Sequence, residues 1–225
     1  MPTNRTRKKT DPARARTAAP KPYNPLELRT LAESMVAALL KQPVKPLGSL
    51  APFEGAGVYA IYYRGEFEPY RPVSTENRRK WKRPIYVGKA AGKGTRKGGF
   101  VTERSPGRAM FERLKQHSQS IREARNLDLE HFECRYLVTE EVFIPLCESL
   151  LIDRYKPIRN VVIEGFGPKV VGVERKGQQT SMWDILHPGR TGRGEKPNKK
   201  YKSPEDVKEK LKTFLSAQNL APSSD

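Results

Sequence analysis

Two short runs decide how this chain folds: Gly57-Val58-Tyr59-Ala60-Ile61-Tyr62-Tyr63, and Pro84-Ile85-Tyr86-Val87 followed by Gly88. Both are rich in β-branched and aromatic residues and are bounded by turn residues, so each reads as a strand. Arg64-Gly65 turns the chain after the first run. Residues 64–83 are polar, carry Pro69 and Pro72, and read as an insertion loop. The short separation makes an antiparallel pair the expected arrangement.

Working outward, Phe132 to Thr139 reads as a third strand. Four stretches have helical spacing. In residues 24–41, Leu28, Leu31, Met35, Leu39 and Leu40 form one apolar face, with Asn24-Pro25 as cap and first turn and Pro43 and Pro46 beyond the end. Ala109 to Arg125 carries Phe111, Leu114 and Ile121 on its apolar side. Ile144 to Tyr155 is apolar almost throughout and is stopped by Pro157. Ser203 to Ala217 presents Val207, Leu211, Phe214 and Leu215. The pattern predicts an α+β fold, a small, mainly antiparallel central sheet flanked by helices. Residues 1–22 have almost no large apolar side chains to offset ordering entropy and are expected to be a disordered basic arm, and residues 218–225 are expected to be a disordered tail. Between them, residues 23–217 are expected to form one domain, with its core in 55–162 and an irregular segment from Gly165 onward.

Lys and Arg number 43 against 25 acidic residues, a net charge of +18. That balance points to a polyanionic partner, nucleic acid first, and says nothing of catalysis. Cys134 and Cys147 stand in apolar patterns with no CxxC or Cys/His grouping, which argues against zinc or a disulfide framework. No run reaches membrane-spanning length and no secretory h-region follows the start, so a soluble, reducing compartment is expected. Residues 88–108 are rich in Gly, Lys and Arg but lack P-loop spacing. They read as a DNA-contacting loop, or more plainly as a flexible basic one.

Arg113 and His117 lie four apart on a helix and so share a face. Glu148 is a lone acid in an apolar helix, and Asn160 follows that helix's end. Taken with Gly57-Val58-Tyr59 and Tyr86-Val87-Gly88, the ordered series resembles the GIY-YIG nuclease superfamily over residues 55–162. The insertion at 64–83, His117 and the tail segments Gly165-Phe166-Gly167, Gln178-Gln179, Ser181-x-Trp183-Asp184 and His187-Pro188-Gly189-Arg190 are similar to its type II restriction endonuclease branch. The resemblance implies a bacterial cytoplasmic enzyme that cuts double-stranded DNA at a GC-rich palindrome, CCGCGG being the favoured target, as a homodimer on DNA. A homing or repair-type nicking enzyme, and a non-catalytic nucleic-acid-binding protein, are the competing readings.

On that reading the chemistry of hydrolysis gives each residue an expected role. Tyr59 takes the proton of the attacking water and His117 relieves it, since a free phenol is a poor base. Tyr86 bonds a phosphate oxygen or the water, Arg113 stabilises the phosphate, and Asn160 orients the site. Glu148 is the expected ligand for Mg²⁺, with Mn²⁺ as the alternative. Lys89, Arg96, Lys97 and Arg104 on the glycine-rich loop and Gln178, Gln179 and Arg190 in the tail are the candidate DNA contacts, to phosphate or to base edges. Without the series, both tyrosines read as ordinary strand aromatics, and Glu148 and His117 as helix-surface residues.

Overall fold

The computed structural model describes residues 27–92, 106–167, 177–191 and 194–220. The basic arm, Asn24-Pro25 and residues 93–105, with Arg96, Lys97 and Arg104, lie outside them. The first run is strand β2 (Gly57–Tyr63), and all seven of its residues are buried. It is central in a four-stranded antiparallel sheet of order β1-β4-β2-β3, with β1 Lys45–Pro46, β3 Tyr86–Ala90 and β4 Phe132–Val138. The sheet is covered on both faces, which is why β2 reads as a continuous apolar run and not as an alternating one.

On one face Tyr59, Ile61 and Tyr63 pack with helices α3 (Ala109–Arg122), α5 (Ile158–Val161), α6 (Met182–Leu186) and α7 (Pro204–Leu220). On the other, Val58, Ala60, Tyr62 and Val87 pack with α1 (Leu28–Lys41) and α4 (Ile144–Tyr155). Cys134 belongs to the first core and Cys147 to the second, both as free thiols. No helix among the described residues is long and apolar enough to cross a membrane.

The α+β expectation holds, with local corrections: the short strand β1 was not expected, and the tail read as irregular contains α6. Residues 64–83 are not an open loop: they contain helix α2 (Arg71–Asn77), which buries Val73, while Tyr70 before it is wholly buried. The polar composition hid this, because Ser74 and Asn77 are buried through hydrogen bonds to the backbone carbonyls of Gly65 and of Tyr63 and Arg83. Strand β3 begins at Tyr86, two residues later than the expected Pro84, and runs three residues past Val87 into the glycine-rich segment. Helix α3 stops at Arg122, and its buried side uses Met110 with Leu114 and Ile121, while Phe111 stays half-buried. Finally, α7 continues past Ala217 to Leu220, so residues 218–220 belong to the helix.

Candidate active site

The central pairing of β2 with β3 sets Tyr59 opposite Gly88 and Ile61 opposite Tyr86. Directly paired residues share a face of the sheet, so both motif tyrosines point the same way. The motif glycines make this possible. Gly57 has φ 154°, and a Cβ there would collide with the Leu137 carbonyl oxygen. A Cβ on Gly88 would overlap the Tyr59 hydroxyl, so the missing side chain is the space that hydroxyl occupies.

Helix α3 lies over this face and supplies Arg113 and His117. His117 is fully buried, and its Nε2 is 2.7 Å from the Tyr59 hydroxyl, which is buried too. Burial raises the Tyr59 pKa well above 10; the negative charge that Tyr86 can carry adds to the rise, and the Arg113 guanidinium opposes it. Burial holds His117 well below 6.5, with Arg113 and Arg159 adding repulsion. The imidazole is therefore neutral at pH 7 and the phenol protonated. The ring of Tyr86 is 4.9 Å from that of His117, and Phe166 closes the group at 4.5 Å from His117. Tyr86 and Arg113 are only half-buried, so they form the outer layer around an inner Tyr59–His117 pair.

Glu148 belongs to a second group. Its helix α4 packs on the opposite face, and its Oε2 is 2.6 Å from Nζ of Lys89 on β3. Lys89 is the residue after Gly88, so the two groups meet at edge strand β3 from its two sides. Glu148 is 18% exposed and Lys89 48%, which leaves the pair open to solvent. Sequence reasoning assigned both residues but missed their partnership, because 59 positions separate them in the chain.

Asn160 does not reach the reacting groups. Its Oδ1 accepts from the Val87 amide and its Nδ2 donates to the Val87 carbonyl, both at 2.8 Å. It completes the outer edge of β3 between Tyr86 and Gly88, a positioning role. Arg190 is a clear correction. It is buried, pairs with Asp184 at 2.8 Å through Nε, and donates to the carbonyls of Gly165 and Gly167. A side chain so fully engaged ties the tail together and cannot read DNA. Gln178 and Gln179 are exposed, and Gln179 also accepts from the Lys199 amide.

Two residues that the sequence did not mark for chemistry stand beside this site, Phe166 in the tail and Arg159 on α5. The Phe166 ring packs against that of His117 at a tilt of 34°, and Arg159 stands behind it at 4.4 Å. The tail also builds a second buried tyrosine–histidine pair: Tyr70 hydroxyl to His187 Nε2 at 2.6 Å, with His187 Nδ1 2.8 Å from Asn126 Oδ1. This one fastens the insertion to the tail.

The family model of the Eco29kI GIY-YIG domain matches residues 51–215, most of the chain. The chain belongs to this family. The Eco29kI family is a restriction endonuclease family, which supports the restriction branch of the superfamily. The match includes the two tyrosine motifs, the insertion with α2, and the tail through most of α7, so Arg190, Phe166 and Trp183 fall inside the family domain. Helix α1 lies before it and packs on α4. A search of curated proteins matched nothing.

Proposed function

We propose that this Eco29kI-family chain is a type II restriction endonuclease that hydrolyses both strands of a GC-rich palindrome as a homodimer. The observation that carries the reading is the buried Tyr59–His117 contact at 2.7 Å, with Arg113 and Tyr86 beside it. The arrangement suits proton transfer without a tyrosinate. Since burial opposes both a charged phenol and a charged imidazole, the Tyr59 hydroxyl acts as a shuttle. It accepts the proton of the attacking water while its own proton passes to His117 Nε2. The water oxygen bonds to phosphorus as the bond to the leaving oxygen breaks. That role requires His117 to carry its ring proton on Nδ1, an atom with no partner of its own.

Arg113 presents its fork of donors to the phosphate, and the charge that DNA brings offsets the repulsion that Arg113 imposes on a protonated His117. Tyr86, half-exposed on the same face, bonds a phosphate oxygen. Lys89 exchanges Glu148 for a phosphate.

The donor set fits Mg²⁺. Magnesium is commonly held by one or two carboxylates together with waters and substrate phosphates, and no cluster of three His, Cys, Asp or Glu exists among the described residues. Glu148, reachable from solvent, would be its protein ligand through the oxygen that Lys89 leaves. Bound there, the metal would supply Lewis-acid stabilisation of phosphate charge. A two-fold target presents the same phosphate geometry on each strand, which suits two identical subunits. Gln178 and Gln179 are the exposed tail side chains for base or phosphate contact, with Arg96, Lys97 and Arg104 on the loop.

Incubation of the purified protein with plasmid and Mg²⁺, followed by end sequencing, tests this. Discrete double-strand fragments with one common, symmetric end sequence are expected, CCGCGG being the favoured one. Nicked circles alone, or binding without cleavage, would contradict it.

A further inference from the structure

Arg159 on α5 is 3% exposed, and none of its three guanidinium nitrogens has a hydrogen-bond partner. Its Cζ lies instead over three rings: Trp183 at 3.7 Å, Phe166 at 4.4 Å and Tyr70 at 5.1 Å. Cation–π attraction offsets part of the desolvation cost. Burying a cation without a counter-ion is nevertheless expensive, and an apolar side chain of similar length would fill the cage at less cost. The charge therefore invites a functional account. Phe166, the ring under it, is 4.5 Å from His117 at 34° and meets Tyr86 edge-on at 5.1 Å.

We propose that Arg159 is a positioning residue for the reaction: its caged guanidinium, acting through Phe166, fixes His117 against Tyr59 and sets a permanent positive charge behind that pair. The inference rests on the reading of Tyr59 and His117 as the groups that move the proton. The groups facing His117 are Arg113 from its own helix, Tyr59 from β2, Tyr86 from β3, and Arg159 through Phe166. Arg190 also reaches the nearby Gly167 carbonyl, but Asp184 matches its charge. Arg113 engages the phosphate in the complex, so Arg159 is the cation whose effect on His117 persists when DNA is bound. It keeps the imidazole neutral as the medium turns acidic, in the same direction as burial.

The test compares Arg159→Met, which removes the charge at similar length, with Arg159→Lys, which keeps it. The ring ¹⁵N resonances of His117, assigned with His117→Gln, are followed by NMR against pH in the DNA-free protein. Single-turnover cleavage is then followed against pH at saturating DNA. In Arg159→Met, His117 is expected to take up its proton about one pH unit higher than in wild type, a tenfold change. The acidic limb of cleavage moves the same way, and Arg159→Lys stays with wild type. His117 titrating alike in all three proteins would overturn the proposal. So would failure of both Arg159→Met and Arg159→Gln to fold where Arg159→Lys folds, since the cation would then serve the fold. A shifted titration with an unshifted cleavage limb, or with no cleavage by wild type, refutes instead the role given to the Tyr59–His117 pair.

Discussion

Mild acid should loosen this fold, and two histidines set by how much. His117 and His187 are both buried and held well below 6.5, chiefly by burial, with Arg159 repelling both and Arg113 also repelling His117. In the unfolded chain each titrates near pH 6.5. As the pH falls below that value, the unfolded state binds two protons that the folded state refuses. Stability is therefore intact above about pH 6.5 and declines below it, down to the depressed folded values. Each histidine contributes a slope of about 1.4 kcal/mol per pH unit in that window. From pH 7.5 to 5.5 the pair should cost about 2.7 kcal/mol, a large share of the roughly 5–15 kcal/mol typical of a domain. Urea unfolding at the two pH values measures it. His117→Gln and His187→Gln should each remove about half of the difference, and the double variant nearly all of it. A wild-type difference under about 0.5 kcal/mol, or one that survives in the double variant, would refute the assignment of two neutral buried imidazoles.

Three further outcomes follow from the geometry. Arg190→Ala strands Asp184 in the interior and should cost about 3–5 kcal/mol of stability, seen in thermal melting; a normal melt with altered sequence preference would return Arg190 to the DNA contacts. Asn160→Ala frees both backbone groups of Val87, so it should cost about 1–3 kcal/mol and speed hydrogen exchange at the Val87 amide, whereas unchanged exchange there would show that β3 is held by other means. Glu148→Ala should abolish cleavage in Mg²⁺ while leaving DNA affinity largely intact; near-normal cleavage would remove Glu148 as the metal ligand.

What the sequence made legible, and what it did not, has a physical pattern. Three of the four strands were readable, β2 most plainly because it is buried on both faces and so composed almost entirely of strand formers, whereas the two-residue β1 at Lys45–Pro46 carried no such run. Helix α4 was readable to the residue, since Pro157 and an apolar run bound it. The α3 pair was readable because four-residue spacing forces Arg113 and His117 onto one face. Helix α2 was not, since a short helix held by side-chain bonds from Ser74 and Asn77 to backbone carbonyls looks polar in composition. The role of Arg190 was misread for a related reason: an arginine in a basic chain suggests phosphate, and only the folded tail shows Asp184 and two carbonyls already waiting for it. Arg159 carried a weaker signal. It stands between Ile158 and Asn160, and its cage is assembled from Tyr70, Phe166 and Trp183, three separate parts of the chain.

The central claim is that the Tyr59 hydroxyl carries the proton of the attacking water to His117. Its most direct test is the single-turnover cleavage rate of Tyr59→Phe on cognate DNA, with affinity and melting temperature measured alongside. The phenylalanine ring keeps the packing in β2 and loses only the hydroxyl. The account predicts unchanged folding, similar DNA affinity and a rate lower by about 10²–10⁴-fold, with His117→Ala comparably slow. A folded Tyr59→Phe protein that cleaves within about threefold of wild type would contradict it, and would leave Tyr59 as a packing residue beneath some other base.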